Sequence, residues 1–321
     1  MAEIDLSKYN LRTDLIIDNN SIEHKEEVID DITITKTKKD GNYFTLAFKD
    51  ITDESNYNRV LKQLNILLLE ILKANKIKQD DSCLIIGLGN RMSTPDSLGV
   101  KAVDNINATA HLFEYGDRNN IRKIFCFIPG VMATTGIDSS RIIISLIKEV
   151  KPKFVIAIDA LASRKIERIN KTIQITDTGI HPGSGIGNNR VEISKKTIGI
   201  PVIAIGVPTV VMSSTIVYDT IDYLIKHISY LKEFESINKL SYKKNNYLNK
   251  LKNKELSNQE KENLLGLFGS LTDIDKRSLI NEVLNNIELN MIVTPTEIDF
   301  LIEKLSKIIS DSLNNSLNNK L

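Results

Sequence analysis

Four short apolar runs constrain this chain more than anything else in it: Cys83 to Gly87, Ile124 to Ile128, Phe154 to Ile158 and Pro201 to Ile205. Each is nearly continuous rather than alternating. That is the pattern of strands buried on both faces of a mostly parallel sheet. Ile142, Ile143, Leu146 and Ile147 recur at helical spacing between the second and third runs, and Ile216, Ile221, Leu224 and Ile225 do so after the fourth. The alternation predicts an α/β domain.

Elements surround this core on both sides. Ile32 to Thr37 and Tyr43 to Phe48 flank Lys39-Asp40-Gly41-Asn42, which reads as a hairpin whose Asp-Gly supplies positive φ. A helix is expected over about 57–74. The stretch 233–261 reads as an exposed excursion, and residues 262–315 as C-terminal helices. Within the latter, Thr294-Pro295-Thr296-Glu297 reads as a capping box opening an apolar stripe from Ile298 to Ile309.

Composition removes several function classes. With 42 Lys+Arg against 41 Asp+Glu the formal charge is +1, so binding of nucleic acid through bulk charge is not expected. No apolar segment approaches the roughly 18 residues of a membrane helix, so no membrane partner is expected. The N-terminus carries no signal-peptide pattern, and the two cysteines, Cys83 and Cys126, lie inside apolar runs as inert small hydrophobes. A cytoplasmic location follows as an expectation. With neither CxxC nor HExxH in the chain, no metal and no cofactor is expected. Gly87-x-Gly89 lacks the third glycine of a dinucleotide fingerprint, and Ser184 is not in a GxSxG elbow.

In open α/β sheets reactive groups collect beyond the carboxyl ends of strands. Two aspartates meet that condition. Asp159 directly follows the third run, where a carboxylate among apolar neighbours is costly to ionise without partners. Asp96 lies beyond the first run in Thr94-Pro95-Asp96-Ser97. Two carboxyls facing one crevice can divide the work, one donating a proton while the other activates water. The bland readings are a first-turn acid capped by Thr94 for Asp96, and a strand-end carboxylate bonded to loop amides for Asp159. The Gly-rich segment 177–188, with His181, could bind an anion or carry a catalytic imidazole, or simply form tight turns.

Taken together these segments resemble the germination proteases of endospore-forming bacteria. The resemblance rests on Gly87-Leu88-Gly89-Asn90 with Thr94-Pro95-Asp96-Ser97-Leu98-Gly99, on Pro129-Gly130-Val131-Met132, and on Val155 through Arg164. It rests also on Thr176 through Gly185, Pro201 through Val211, and Val293 through Glu297. It implies a three-layer α/β sandwich similar to hydrogenase-maturation peptidases, with the hairpin and C-terminal helices added. It also implies an atypical aspartic endopeptidase, made as a zymogen in the forespore, whose partners are small acid-soluble spore proteins that it degrades at germination. A homotetramer is implied as well.

In that resemblance Asp96 and Asp159 are the catalytic pair, with Asn90, His181 and Arg164 as site-lining candidates. Arg12-Thr13-Asp14-Leu15-Ile16-Ile17-Asp18 resembles both a processing site and the substrate motif, an acid followed by a bulky hydrophobe. Self-cleavage is therefore expected between Asp14 and Leu15, making 1–14 a propeptide and 15–321 one peptidase domain. Asp159 is expected to hold the proton and Asp96 to activate water. The chain departs from the family pattern at Arg91-Met92, Ala110 and Met212, and Ile16 stands where alanine is usual. The alternatives are a metal-dependent peptidase on the same fold and a non-catalytic binder of spore proteins.

Overall fold

The computed structural model describes residues 14–15, 24–115, 121–181, 191–234 and 256–318, which divide into two compact units. The larger comprises residues 1–210 and 294–321, the smaller 211–293. Most of the excursion expected over 233–261 lies outside the described residues.

The described strands are β1 (His24–Ile29), β2 (Ile32–Lys38), β3 (Asn42–Ala47), β4 (Cys83–Gly87), β5 (Ile124–Phe127), β6 (Phe154–Ser163), β7 (Thr172–Thr176), β8 (Val202–Met212) and β9 (Ile292–Val293). The sheet order is β1-β2-β3-β7-β8-β6-β4-β5. The expected parallel character holds where β4 pairs with β5 and β6. The N-terminal strands are no appendage: β1, β2, β3, β7 and β8 continue the same sheet in antiparallel pairing. The sheet is therefore mixed.

The described helices are α1 (Glu54–Ala74), α2 (Leu98–Asp104), α3 (Met132–Thr135), α4 (Ser139–Val150), α5 (Lys195–Ile198), α6 (Ser213–Phe234), α7 (Asn258–Leu265), α8 (Leu267–Ser270), α9 (Asp273–Asn286) and α10 (Ile298–Asn318). In the larger unit they make the outer layers of a sandwich. Alternate strand residues Ile85, Ile156, Ile158, Ile173, Ile175, Ile203 and Ile205 meet α1 and α10 through Leu64, Leu67, Ile71, Leu305 and Ile309. The opposite parity, Leu84, Ile86, Val155, Ala157, Val202 and Ala204, meets Ile143 and Ile147 of α4. Strands apolar on both faces can be stable only when both faces are covered.

Two local expectations are corrected. Positive φ sits not at Gly41 but at Asp30 and Asp31, in the turn joining β1 to β2. Gly41 serves close approach instead, because a Cβ there would stand 2.4 Å from Thr178 Cγ2 and 2.5 Å from Asp177 Oδ1. At the C-terminus α10 starts at Ile298, and the Thr294 hydroxyl does not cap it. That hydroxyl donates to the Thr209 carbonyl (3.0 Å), tying the helix entry to β8.

In the smaller unit the last residues of β8 pair antiparallel with β9. Arg277 on α9 lies 3.6 Å over the Tyr218 ring of α6 and 3.7 Å from Asp219, joining those helices.

Candidate active site

Asp96 is placed by close backbone packing. After β4 the chain turns through Gly89 and Asn90 into a 3-10 turn, Thr94–Asp96, and then into α2. A Cβ at Gly99 would stand 2.3 Å from the Ile158 carbonyl and 2.5 Å from that of Leu88. Only glycine lets α2 settle on the ends of β4 and β6 in this way. Gly89, at φ +110°, is equally tight: its Cβ would stand 1.9 Å from the Asp96 carbonyl. The Asn90 amide donates to Asp96 Oδ2 (2.9 Å) and to the Asp96 carbonyl (3.1 Å). Thus Asn90 contributes its backbone to Asp96, while its side-chain oxygen accepts from the Met92 amide (3.0 Å). Thr94 does not cap α2; Ser97 stands at that helix's N-terminus and donates its hydroxyl back to the Thr94 carbonyl (2.8 Å).

Asp159 does not end its strand, as the run pattern suggested. β6 continues through Ser163, because Leu161 and Ala162 bury and keep the extended pairing going. Asp159 is 7% exposed, and its Oδ1 accepts from the Ala160 amide (2.9 Å). Leu88 donates its amide to the Ile158 carbonyl (2.8 Å), and the Thr94–Asp96 turn packs on β6. The buried Thr209 hydroxyl of β8 donates to the Pro95 carbonyl (2.7 Å), holding the turn from the other side. The structure thereby sets the segment carrying Asp96 against the strand carrying Asp159.

The dipeptide Asp14-Leu15 is seated on the same unit. Arg168 Nη1 donates to Asp14 Oδ2 (2.8 Å) as an ion pair in which the Asp14 side chain is fully buried. Gln174 Nε2 donates to Asp14 Oδ1, and the Arg164 amide approaches Asp14 Oδ2 at 3.5 Å. Gln174 also accepts from the Leu15 amide (2.7 Å). The Leu15 side chain packs with the α4-facing core, and a Cβ on Gly206 would meet both Leu161 (2.4 Å) and Leu15 (3.1 Å). Side chains two residues apart on a strand share a face. Val155, Ala157, Asp159 and Leu161 therefore stand on one face of β6, the face that receives Leu15.

Arg164 thus touches Asp14 through its backbone. His181 is exposed and lies 4.0 Å from Glu192, at the end of an isolated Ile180–Ile193 bridge. The rest of its Gly-rich segment, 182–188, lies outside the described residues. At its start Asp177 is structural, accepting from the Asn42 amide (2.7 Å), the Asn42 side chain (2.6 Å) and the Asn75 side chain (2.9 Å). Burial pushes the Cys126 thiol up to about 11 and Cys83 well above the ordinary range, as suits inert side chains. Among the described residues, no three His, Cys, Asp or Glu side chains gather as a metal site, and no helix is long and apolar enough to cross a membrane.

Arg168, Gln174 and Thr209 were not singled out as functional from the sequence. A signal existed for Gln174. In Thr172-Ile173-Gln174-Ile175-Thr176 polar and apolar residues alternate in a fully buried strand, which marks one polar face inside the sheet.

Comparison with known proteins agrees with the sequence resemblance. The sequence model of a family described as germination protease matches residues 11–321. The germination protease of Priestia megaterium is 40% identical, with 99% of this chain and 96% of that protein covered. That of Bacillus pumilus is 41% identical with the same coverage. A solved NiFe hydrogenase maturation protease from Thermococcus kodakarensis aligns with 44% of this chain and 80% of its own, at 17% identity and TM-score 0.28. That structural likeness is too low to support an argument, whereas the sequence matches span nearly the whole chain. A mixed α/β sandwich matched end to end in this way belongs to the germination protease family, and the chain is a peptidase of that family.

Proposed function

We propose that this peptidase is made as a zymogen in the forespore and begins the degradation of small acid-soluble, DNA-binding spore proteins at germination. It cleaves after an acidic residue by an Asp96/Asp159 mechanism, and it processes itself between Asp14 and Leu15. The observation that carries this reading is the seating of Asp14-Leu15 on the face of the sheet that bears Asp159, whose strand β6 also receives the packing of the Thr94–Asp96 turn.

The chemistry follows from two carboxyls in different settings. Asp159, more buried and among Ala157 and Leu161, is the member that holds a proton; Asp96, fixed by the Asn90 amide, is the ionised one. Asp96 takes a proton from water as the water oxygen bonds to the scissile carbonyl carbon, and Asp159 gives its proton to the carbonyl oxygen. The tetrahedral species then collapses. Asp159 recovers its proton, the C–N bond breaks, and the proton held by Asp96 passes to the leaving amine. A coupled pair titrates as a unit, so the pH–rate profile reports the pair.

The test is mass spectrometry of products after mixing the full chain with a purified small acid-soluble spore protein. Cleavage after acidic residues, lost in Asp96→Asn and Asp159→Asn and insensitive to chelators, supports the aspartic mechanism. Chelator-sensitive cleavage moves the chemistry to a metal. Tight association without cleavage makes the chain a binder only.

Self-association into a homotetramer belongs to the same proposal. Leu267, Ile274, Val283, Ile287 and Ile292 of the smaller unit are exposed apolar side chains and are the candidates for its interface.

A further inference from the structure

The Asp14 carboxylate is buried and held at both of its oxygens. Its two oxygens are divided between Arg168 and Gln174, with the Arg164 amide behind, and its side chain is fully buried. Burying an ion pair strips both ions of water, a cost offset only when geometry and further hydrogen bonds are good. A terminal segment needs no such device merely to lie on a surface. The next residue, Leu15, is anchored through its amide, which donates to Gln174 Oε1, and its side chain sits against Gly206 and Leu161. An acid and a following hydrophobe are thus each read by a separate group, with one glutamine bridging them.

We infer that Arg168 and Gln174, with the Arg164 amide, form the subsite that selects the acidic residue before the scissile bond, and that Leu161 and Gly206 bound the site for the hydrophobe after it. Asp14-Leu15 is its occupant in cis, and an acidic-hydrophobic dipeptide of a substrate is its occupant in trans. The inference rests on the peptidase reading above.

Chemistry fixes what each partner contributes. The guanidinium supplies charge, which distinguishes a carboxylate from an isosteric amide. Gln174 supplies a donor to the acid and an acceptor to the next amide, which fixes register. Reversing the donor should therefore reverse the preference: Gln174→Glu keeps shape but offers an acceptor, suited to asparagine and repelling aspartate.

The experiment mixes the full chain with two competing octapeptides, Leu-Arg-Thr-Asp-Leu-Ile-Ile-Asp and its counterpart with asparagine at the fourth position. Products are quantified by mass spectrometry. Competing substrates share the same active molecules, so their ratio reports relative kcat/KM whatever fraction has folded or processed. The wild type is expected to favour the Asp peptide strongly. Arg168→Gln is expected to lower that ratio by roughly 10- to 100-fold, the usual value of a hydrogen bond to a charged group. Gln174→Glu should lower it as far or invert it, whereas Arg168→Lys should keep part of it. If both peptides slow equally in Arg168→Gln and Gln174→Glu, these residues only support the fold and the inference is overturned. A wild-type chain that has lost residues 1–14, as its mass shows, and still cleaves neither peptide nor any spore protein overturns the peptidase mechanism and the inference with it. Wild-type cleavage of both peptides at equal rates overturns the inference alone.

Discussion

At the scale of single residues, the two aspartates identified from the sequence prove to be held in different ways. Asp96 is fixed from outside its own turn by the Asn90 amide, and Asp159 is buried mid-strand. Either Asp→Asn change is expected to reduce cleavage at least ~10³-fold while thermal unfolding stays within a few degrees, as seen by activity and circular dichroism together. The thiols should be silent. With Cys126 pushed up to about 11 and Cys83 higher still, native protein at pH 8 should take up no iodoacetamide within the time that denatured protein takes up two equivalents. Tyr43 gives a pH signature. Burial, and then its hydrogen bond to Asp40 (2.6 Å), raise the phenol from 10.0 to about 12. A folded-state pKa above the unfolded value contributes stability that is complete below pH 10 and lost between about pH 10 and 12. Urea midpoints should fall across that window, and less so in Tyr43→Phe, whose stability at pH 7 is lower by the missing bond.

At the scale of elements, the site depends on how α2 and the Thr94–Asp96 turn lie on β4 and β6. Gly99→Ala forces a methyl against two carbonyl oxygens and is expected to cost about 3 kcal/mol in urea unfolding. Thr209→Val removes a buried hydroxyl that donates to the Pro95 carbonyl. Its stability cost should be about 1 kcal/mol, with a larger relative loss in kcat than in KM, because the turn carries Asp96. Equal changes in both variants and no effect on kcat would detach the turn from catalysis. The elements were legible where periodicity was strong: α4 and α6 follow the apolar spacing from which they were expected. They were not legible where a side chain chose a distant partner. Thr294 donates to β8 and not to its own helix, and no local spacing rule can anticipate that.

At the scale of the whole molecule, light scattering should report about four times 36.1 kDa if the proposed tetramer forms, and Leu267→Glu with Ile274→Glu should lower that mass. An unchanged mass would exclude those residues from the interface. The sequence alone was enough to fix the α/β class, since apolar runs on buried strands admit few other solutions, and to mark Asp96 and Asp159, since costly groups beyond such runs stand out. It also offered Asp14-Leu15 as a motif. Only the tertiary structure decided that β1 to β3 extend the central sheet, because β3 pairs with β7 across more than a hundred residues. Only it brought Arg168 and Gln174 onto Asp14, a meeting of residues some 150 positions apart. Local spacing governs helices, strands and turns; which polar side chains must meet is decided when the sheet closes over them and each buried charge has to find its partner.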